Sequence, residues 1–230
     1  ALRVTARLAP GQIVHIPEVL YHWRAVEGST ALSSGQKDYT TEAGLAAVRD
    51  YLAEHAPGAT VEAGHFPNTY RVRWPEPRPT PLVSLLIPTR DRVEILRPCV
   101  EAILAHTDYP NFEVLILDNQ SQCPETLAFM QAVVERDARV RVLEWDQPFN
   151  YSAINNFGAQ QARGEILGLV NNDIEPINRE WLDEMVRQVG RPEIGCVGAK
   201  LFYPNDTIQL AGVILGIGGV AGHSHKYFHR

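Results

Sequence analysis

Three short polar clusters follow apolar runs in this sequence, and they contain residue types that bind charged ligands. The clusters are PTRDR at 88–92, LDNQS at 117–121 and NNDIEP at 171–176. Any one of them is explained by the preference of helix caps and turns for Asp, Asn, Ser and Thr. Three such clusters at the ends of three strands instead predict one shared polar crevice.

Such a crevice has the chemistry to hold a nucleoside diphosphate. Asp118 can accept hydrogen bonds from a base or a ribose, while Arg90 and the Thr89 backbone can meet phosphate oxygens. A diphosphate leaving group requires a further cation, and Mg²⁺ or Mn²⁺ with oxygen ligands supplies it. Asp173 is the carboxylate that we expect to bind this metal, with the amide oxygen of Asn171 beside it.

An alternation of strands and helices must position these clusters. After residue 81, apolar runs predict strands at 82–88, 112–118, 140–145, 165–170, 194–203 and 208–216, and amphipathic segments predict helices at 93–106, 124–136, 151–164 and 178–190. We expect Asp91 to cap the first helix and Asn178 the last. Apolar strands joined by helices predict an α/β fold with a mostly parallel sheet covered on both faces. Ligands of such sheets bind at the carboxyl ends of the strands.

The composition changes near residue 75, which predicts a domain boundary. Residues 1–73 are predicted to form a small α/β segment, with strands at 13–23 and 69–74 and a helix at 40–58. WPEPRPTP at 74–81 has four prolines in eight residues and is predicted to be a stiff linker. Residues 82–230 then form the main domain.

The overall composition excludes several classes of protein. The chain has 230 residues, a net charge of −6 and no run of Lys or Arg, which argues against generic binding to nucleic acid. Its longest uncharged apolar run, 210–222, is shorter than the roughly 20 residues of a transmembrane helix. Cys99, Cys123 and Cys196 are widely spaced, so we expect reduced thiols in a cytoplasmic protein.

Several ordered motifs together resemble the family 2 glycosyltransferases with a GT-A fold, in particular bacterial O-antigen and rhamnan-type sugar transferases. The motifs are VSLLIPTRDR, FEVLILDNQS, NYSAINNFGAQQARGE and LGLVNNDIEP, and the resemblance covers about residues 81–225. It implies a GT-A fold and inverting transfer of a sugar from a nucleoside diphosphate to a saccharide or lipid-linked acceptor. It also implies Mn²⁺ or Mg²⁺ as the cofactor.

The same resemblance assigns roles to individual residues. The nucleotide-binding positions that it implies are Pro88, Thr89, Arg90, Asp118, Asn119, Asn171 and Asn172. The family's Asp-x-Asp metal motif falls on residues 171–173, so Asp173 and Asn171 are the implied metal ligands. The first position departs from the family, because residue 171 is Asn rather than Asp. Its neutral amide supplies less charge to a cation than a carboxylate does.

The resemblance further implies an acidic general base well downstream of the metal motif. We expect that base beyond residue 230, in a longer protein, and therefore assign no catalytic residue. Residues 13–31 resemble the closing segment of a preceding transferase module. A lipid-linked acceptor would place the protein at the inner face of the membrane. The alternative is a non-catalytic nucleotide-binding or scaffolding module.

Three further features have competing interpretations. GIGGVA at 216–221 matches a dinucleotide-binding pattern but is predicted to be a glycine-rich loop, since no helix pattern follows it. His223, His225 and His229 could bind a transition metal, but a mobile tail is favoured. His22 could lie near a metal or diphosphate, although a structural role in an aromatic strand is favoured. Lys200 and Gln209 lie near the acceptor side of the resembled fold.

Overall fold

The chain forms two compact units, Ala1–Pro75 and Glu76–Arg230. The computed structural model describes residues 1–22, 24, 39–216 and 219–229. The first unit contains helices α1 (Leu2–Thr5) and α2 (Tyr39–His55), a 3-10 turn (Pro10–Gln12) and the antiparallel strands β1 (Thr60–Ala63) and β2 (Tyr70–Arg73). The predicted helix and the strand at β2 are confirmed, whereas β1 was not predicted.

The predicted strand at 13–23 is wrong over its described part. Residues 13–22 contain no strand, and the side chains of Val14, Val19 and Tyr21 are about four-fifths exposed, at 79%, 80% and 81%. A strand needs a partner to satisfy its backbone, and no described strand pairs with this segment. Trp23 and residues 25–31 of the predicted closing segment lie outside the described residues.

The second unit is built around a four-stranded parallel sheet. Its strands are β3 (Val83–Thr89), β4 (Phe112–Asp118), β5 (Val140–Glu144) and β6 (Ile166–Leu169), in the order β5-β4-β3-β6. The central strands β3 and β4 are buried over almost their whole length, as expected of apolar strands covered on both faces. The predicted α/β fold with a parallel sheet is confirmed.

Helices cover both faces of this sheet: α3 (Val93–Ala105), α4 (Pro124–Arg136), α5 (Tyr151–Gln161) and α6 (Trp181–Val189). Buried residues of α3, α4 and α6 pack with Val83, Leu85 and Ile87 on one face. Ile154 of α5 packs with residues such as Leu86 on the other. Each fully buried aliphatic side chain of this kind contributes about 1.5–3 kcal/mol to the stability.

Strand β6 lies at the edge of the sheet and is less buried than its apolar sequence predicts. Leu167 and Leu169 are 44% and 57% exposed. They pair in register with Ser84 and Leu86 of β3, on the face where α5 packs mainly against β3 and β4. Position at the edge, rather than composition, sets the exposure of this strand.

Only short strands form in the predicted strand segments 194–203 and 208–216. β7 (Leu201–Phe202) pairs with β8 (Ile208–Leu210), and β9 (Val213–Leu215) pairs with β10 (Ala221–His223), both antiparallel. Gly212 separates β8 from β9 and has φ +119°, a backbone conformation that interrupts a strand and that glycine adopts without strain.

The two predicted helix caps are wrong. Arg92 occupies the N-cap position of α3, and the Asp91 carboxylate instead accepts hydrogen bonds from the amides of Gln122 and Cys123, both at 2.8 Å. The Cys123 and Gln122 amides hold the pKa of Asp91 below its usual value. Helix α6 begins three residues later than predicted, with Glu180 as its N-cap residue rather than Asn178.

Helix α5 ends at Gln161, before the predicted end at Gly164. Gly164 instead lies against the start of β3, where its amide donates to Ser84 Oγ at 2.9 Å. A Cβ atom at this position would lie 2.6 Å from the Leu82 carbonyl oxygen and 2.7 Å from the Ser84 nitrogen. Glycine is therefore required for the close approach of two backbones, not for ending a helix.

Candidate functional site

The polar ends of three strands meet at the carboxyl edge of the sheet. Thr89 at the end of β3 pairs in register with Asp118 at the end of β4, and its carbonyl accepts from the Asn119 amide at 2.8 Å. On its other side, Thr89 Oγ1 accepts from Asn172 Nδ2 at 3.1 Å. The three clusters PTRDR, LDNQS and NNDIEP are thus brought together, and Thr89 links them.

A cavity of about 260 Å³ opens between the ends of β3 and β6 and the start of α5. Its lining residues are Pro88, Thr89, Arg90, Phe149, Tyr151, Asn171 and Asn172. Five of these seven are among the residues predicted to bind the nucleotide. Arg90 is exposed and forms no salt bridge with any described residue, so its charge is available to an anionic ligand.

Asp118 and Asn119 lie beside this cavity rather than in its lining. The carboxylate of Asp118 is buried and accepts from the Ser121 amide at 3.1 Å. Asn119 is also buried, and its Nδ2 donates to the carbonyls of Trp145 and Gln147 at 3.2 and 2.8 Å. Asn119 Oδ1 has no hydrogen-bond partner among the described residues, and such a buried acceptor is costly unless a ligand or water satisfies it.

The predicted metal ligands lie on the turn that follows β6. Asn171 and Asp173 are both exposed, so their oxygen atoms are open to a ligand. Within the described ranges, no three His, Cys, Asp or Glu side chains form a metal-binding group. One carboxylate with amide oxygens fits a cation of the Mg²⁺ or Mn²⁺ type, which completes its coordination with phosphate oxygens and water.

Cys99 of α3 lies under this turn. Its side chain is buried, and its Sγ donates to the carbonyl oxygen of Asn171 at 3.5 Å. Burial raises the pKa of the Cys99 thiol to about 11, against a smaller opposing effect of the Ile174 amide, and the charges of Asp173 and Glu175 raise it further. The thiol therefore remains protonated and supports the turn from below.

We expect Cys99 to react with iodoacetamide at pH 8 at least about 100-fold more slowly than the exposed Cys196. The physical reasons are the low thiolate fraction and the burial of Sγ. Peptide mass spectrometry after timed alkylation measures both rates in one sample. Labelling of the urea-unfolded chain is the control, where the two cysteines should react at similar rates. Similar rates in the folded chain would contradict this arrangement.

Phe149 and Tyr151 line the cavity and were not predicted from the sequence. Both are exposed and flank Asn150, whose Oδ1 accepts from the Ala153 amide at 2.9 Å and caps α5. A usable signal was present in the sequence, because a helix that follows a parallel strand begins at the carboxyl edge of the sheet. Aromatic residues immediately before such a helix therefore face the strand-end crevice.

A larger cavity, of about 330 Å³, lies at the opposite edge of the sheet, near the starts of β3 and β4. Acidic side chains dominate its polar lining, including Glu76, Asp108, Glu180 and Asp183. Arg187 pairs with Glu76 and Asp183 there, and Arg179 pairs with Asp108. Its acidic lining does not suit a diphosphate, so the smaller cavity at the carboxyl edge is the candidate site.

Within the described residues, the competing features do not form sites. Strand β10 begins at Ala221, the last residue of the glycine-rich segment 216–221, whereas a dinucleotide-binding fold needs a helix after this segment; residues 217 and 218 lie outside the described part. The His223 and His225 rings have separate contacts, with the Gln209 carbonyl and with Phe228. Most described residues of the predicted tail are exposed, and the segment is hydrogen-bonded to β8, because the Ile208 amide donates to the Phe228 carbonyl at 2.8 Å.

Lys200 and Gln209 are not among the residues that line the carboxyl-edge cavity. His22 is exposed in a segment without a strand, and Lys200 lies 4.9 Å from the ring centre of Phe202. A role for Lys200 or Gln209 toward the acceptor stays a prediction.

The model of the family described as glycosyl transferase family 2 matches residues 84–215, which run from β3 to β9. This match covers more than half of the chain and includes all three polar clusters. The chain belongs to glycosyl transferase family 2. The resemblance seen in the sequence motifs is confirmed, and the carboxyl-edge cavity lies within the family 2 region.

Two curated proteins are similar to nearly the whole chain. The uncharacterized protein y4gI of Sinorhizobium fredii is 50% identical over 228 residues, which are 99% of this chain and 25% of that protein. The O-antigen biosynthesis protein RfbC of Myxococcus xanthus is 46% identical over 215 residues, 94% of this chain and 16% of that protein. The family 2 chain thus spans a quarter or less of these relatives' length.

Among solved structures, a mannosyltransferase of Pyrobaculum calidifontis in complex with GDP-Man and Mn²⁺ matches with a TM-score of 0.49 and 17% identity. That alignment covers 78% of this chain and 48% of the mannosyltransferase. At this level of likeness, it assigns neither a donor nor a metal to the family 2 chain. No helix in the described part of the chain has the length and apolar character that crossing a membrane requires.

Proposed function

We propose that this chain is the donor-binding part of a glycosyltransferase, which binds a nucleoside-diphosphate sugar together with a divalent cation for inverting transfer. The observation that carries the proposal is the cavity between the ends of β3 and β6, whose lining combines Arg90 with Asn171 and Asn172. A nucleoside-diphosphate sugar requires a positively charged side chain for its phosphates, amide groups for hydrogen bonds and an open apolar wall, and the cavity has all three. Membership of family 2 supports the same reading.

Each part of the site has a task in this proposal. Arg90 offsets charge on the diphosphate, and the Thr89–Asn172 hydrogen bond keeps the two strand ends together around it. Asp118 and the free Oδ1 of Asn119 receive the base or ribose. Asp173 and Asn171 hold Mn²⁺ or Mg²⁺, which neutralises the negative charge that develops on the leaving diphosphate.

The acceptor in this proposal is a saccharide or a lipid-linked saccharide. The similarity to the O-antigen biosynthesis protein RfbC supports a role in cell-surface polysaccharide synthesis. The three free cysteines are compatible with a cytoplasmic protein, and a lipid-linked acceptor would bring it to the inner face of the membrane. Transfer also requires a general base that deprotonates the acceptor hydroxyl, and no residue of this chain is assigned to that task.

Thermal unfolding with UDP, GDP and dTDP, each with Mn²⁺ or with EDTA, tests the proposal. A nucleotide at about 100 times its dissociation constant adds about 2.7 kcal/mol to the free energy of unfolding. For a chain of this size, that corresponds to a rise in melting temperature of roughly 5–10 °C. We expect one nucleotide to give this rise with Mn²⁺ and to lose it with EDTA. Mn²⁺ without nucleotide is the control.

Two other results of this experiment would contradict the proposal, in whole or in part. If none of the three nucleotides raises the melting temperature, the chain does not bind a donor, and the scaffolding alternative is favoured. If a nucleotide does so equally with EDTA, the cation at Asp173 is excluded while the nucleotide site remains.

A further inference from the structure

Two aromatic side chains line the candidate cavity without being covered. Phe149 is 63% exposed and Tyr151 is 45% exposed, and both share the lining with Arg90 and the two asparagines of the β6 turn. Apolar surface that stays in contact with water gains nothing from folding. Exposed aromatic residues inside a polar cavity therefore mark a surface that a ligand covers.

Buried amide side chains hold this aromatic pair in place. Asn119 Nδ2 donates to the carbonyls of Trp145 and Gln147, which fixes the segment leading to Phe149. Asn155 Nδ2 donates to the Tyr151 carbonyl at 2.8 Å from inside α5. Side chains on an anchored backbone lose less conformational freedom when a ligand binds, so the pair is prepared for contact.

The position of Phe149 and Tyr151 indicates which part of the donor they contact. The residues expected to receive the base, Asp118 and Asn119, do not line this cavity, whereas the residues expected to meet the diphosphate do. The group that follows the diphosphate in a sugar nucleotide is the sugar ring. One face of such a ring consists largely of C–H groups, which an aromatic side chain can cover while the hydroxyls stay hydrated or hydrogen-bonded.

We propose that Phe149 and Tyr151 form an aromatic shelf that packs against the C–H face of the donor's sugar ring. This inference rests on the proposed donor-binding function. It adds the residues that contact the sugar, and through which the chain would bind a sugar nucleotide more tightly than the bare nucleoside diphosphate. The shelf contributes binding contacts and orientation to the sugar, and it takes no part in proton transfer.

Calorimetric titration of the whole chain with matched pairs of ligands tests the shelf. The pairs are UDP with UDP-glucose, GDP with GDP-mannose and dTDP with dTDP-glucose, each with Mn²⁺. For the pair that binds, we expect F149A to weaken the sugar nucleotide by roughly fivefold to tenfold and the bare diphosphate by less than about twofold. Y151A should act in the same direction. F149Y, which keeps a flat ring, should restore the affinity.

The control is F66A, because Phe66 is 69% exposed and is not among the residues that line the cavity. F66A should change neither affinity, and thermal melting checks that every variant is folded. An equal loss for diphosphate and sugar nucleotide would mean stacking on the base and would overturn the shelf. Unchanged binding of both ligands would overturn it as well. Failure of the unaltered chain to bind any diphosphate would overturn the proposed function and the shelf together.

Discussion

Replacing Asp173 with alanine is expected to weaken Mn²⁺-dependent nucleotide binding by about 100-fold, which is about 2.8 kcal/mol at 1.4 kcal/mol per tenfold. Asp173 is the carboxylate, on the turn that follows β6, to which the proposal assigns the metal, and its side chain is exposed. The two amides beside it carry no charge. Without Asp173, the site keeps oxygen donors but loses the charge that holds a divalent ion. Titration of the nucleotide with Mn²⁺ and with EDTA measures the loss.

Two variants in the same turn sharpen this test. Glu175 is an exposed carboxylate two residues further on, so E175A removes the same charge without removing the assigned ligand. It should leave affinity within about twofold, since exposed charges interact weakly through water. N171D adds a second carboxylate and should lower the Mn²⁺ concentration needed for binding. If D173A binds as the unaltered chain does, and still responds to EDTA, the metal assignment is wrong.

Replacing Glu113 with alanine is expected to lower the free energy of unfolding by about 3 kcal/mol. Glu113 is 6% exposed in the central strand β4, and its carboxylate accepts from Ser84 Oγ at 2.7 Å, the Arg163 amide at 2.8 Å and Arg141 at 3.1 Å. Truncation leaves these buried or half-buried donors without their acceptor. Urea denaturation at pH 7 measures the change.

The matched control is the exposed pair of Glu101 and Arg136, at 3.6 Å. E101A removes a carboxylate of the same kind, and we expect it to cost less than about 1 kcal/mol, because exposed ion pairs are screened by water. Equal losses in the two variants would show that the buried network around Glu113 contributes nothing beyond an ordinary surface pair.

The contribution of Glu113 also depends on pH. Burial by itself would raise its pKa, but the hydrogen bonds from Arg163, Ser84 and Arg141 outweigh burial and hold the pKa below the usual value of 4.5. The folded state therefore binds this proton less readily than the unfolded chain. The resulting stabilisation is fully present above pH 4.5 and is lost as the pH falls through the folded pKa. The difference in stability between the unaltered chain and E113A should shrink accordingly on acidification.

The Glu113 network also holds the segment just before β6. The Arg163 amide donates to Glu113 and the Gly164 amide donates to Ser84, and Arg163 and Gly164 lead into β6. The far end of β6 carries the turn with Asp173. The buried Glu113 carboxylate, near the amino ends of the strands, thus helps to fix β6, which leads to the turn with Asp173 at the carboxyl ends.

Much of the second unit was predictable from local pattern. The apolar runs of β3 and β4 have one stable environment, a parallel sheet covered on both faces, and the helices between them have clear apolar faces. Parallel strands bring their carboxyl ends to one edge, so the gathering of the three polar clusters followed from the strand assignments alone. Thr89, Arg90 and Asn171 were predicted to lie there from this pattern, and the resemblance to family 2 implied Pro88 and Asn172 as well; all five line the cavity.

Predictions failed where a residue's partner is distant in sequence. Asp91 was expected to cap its own helix, but it bonds to two amides about 30 residues away, at the start of α4. Residues 13–22 have the composition of a strand but no described pairing partner. The exposure of Leu167 and Leu169 depends on β6 being an edge strand, which is a property of strand order.

The sequence by itself determined the family, the α/β class and the set of polar residues at the strand ends, because these depend on short-range pattern and on motifs that stay contiguous in the chain. Only the tertiary structure decided that Asp118 and Asn119 lie beside the cavity, that Cys99 supports the turn after β6 and that Phe149 and Tyr151 complete the cavity wall. The physical reason is that these relations join residues from different strands and helices. Their distances depend on how helices pack across the sheet, which no local pattern contains.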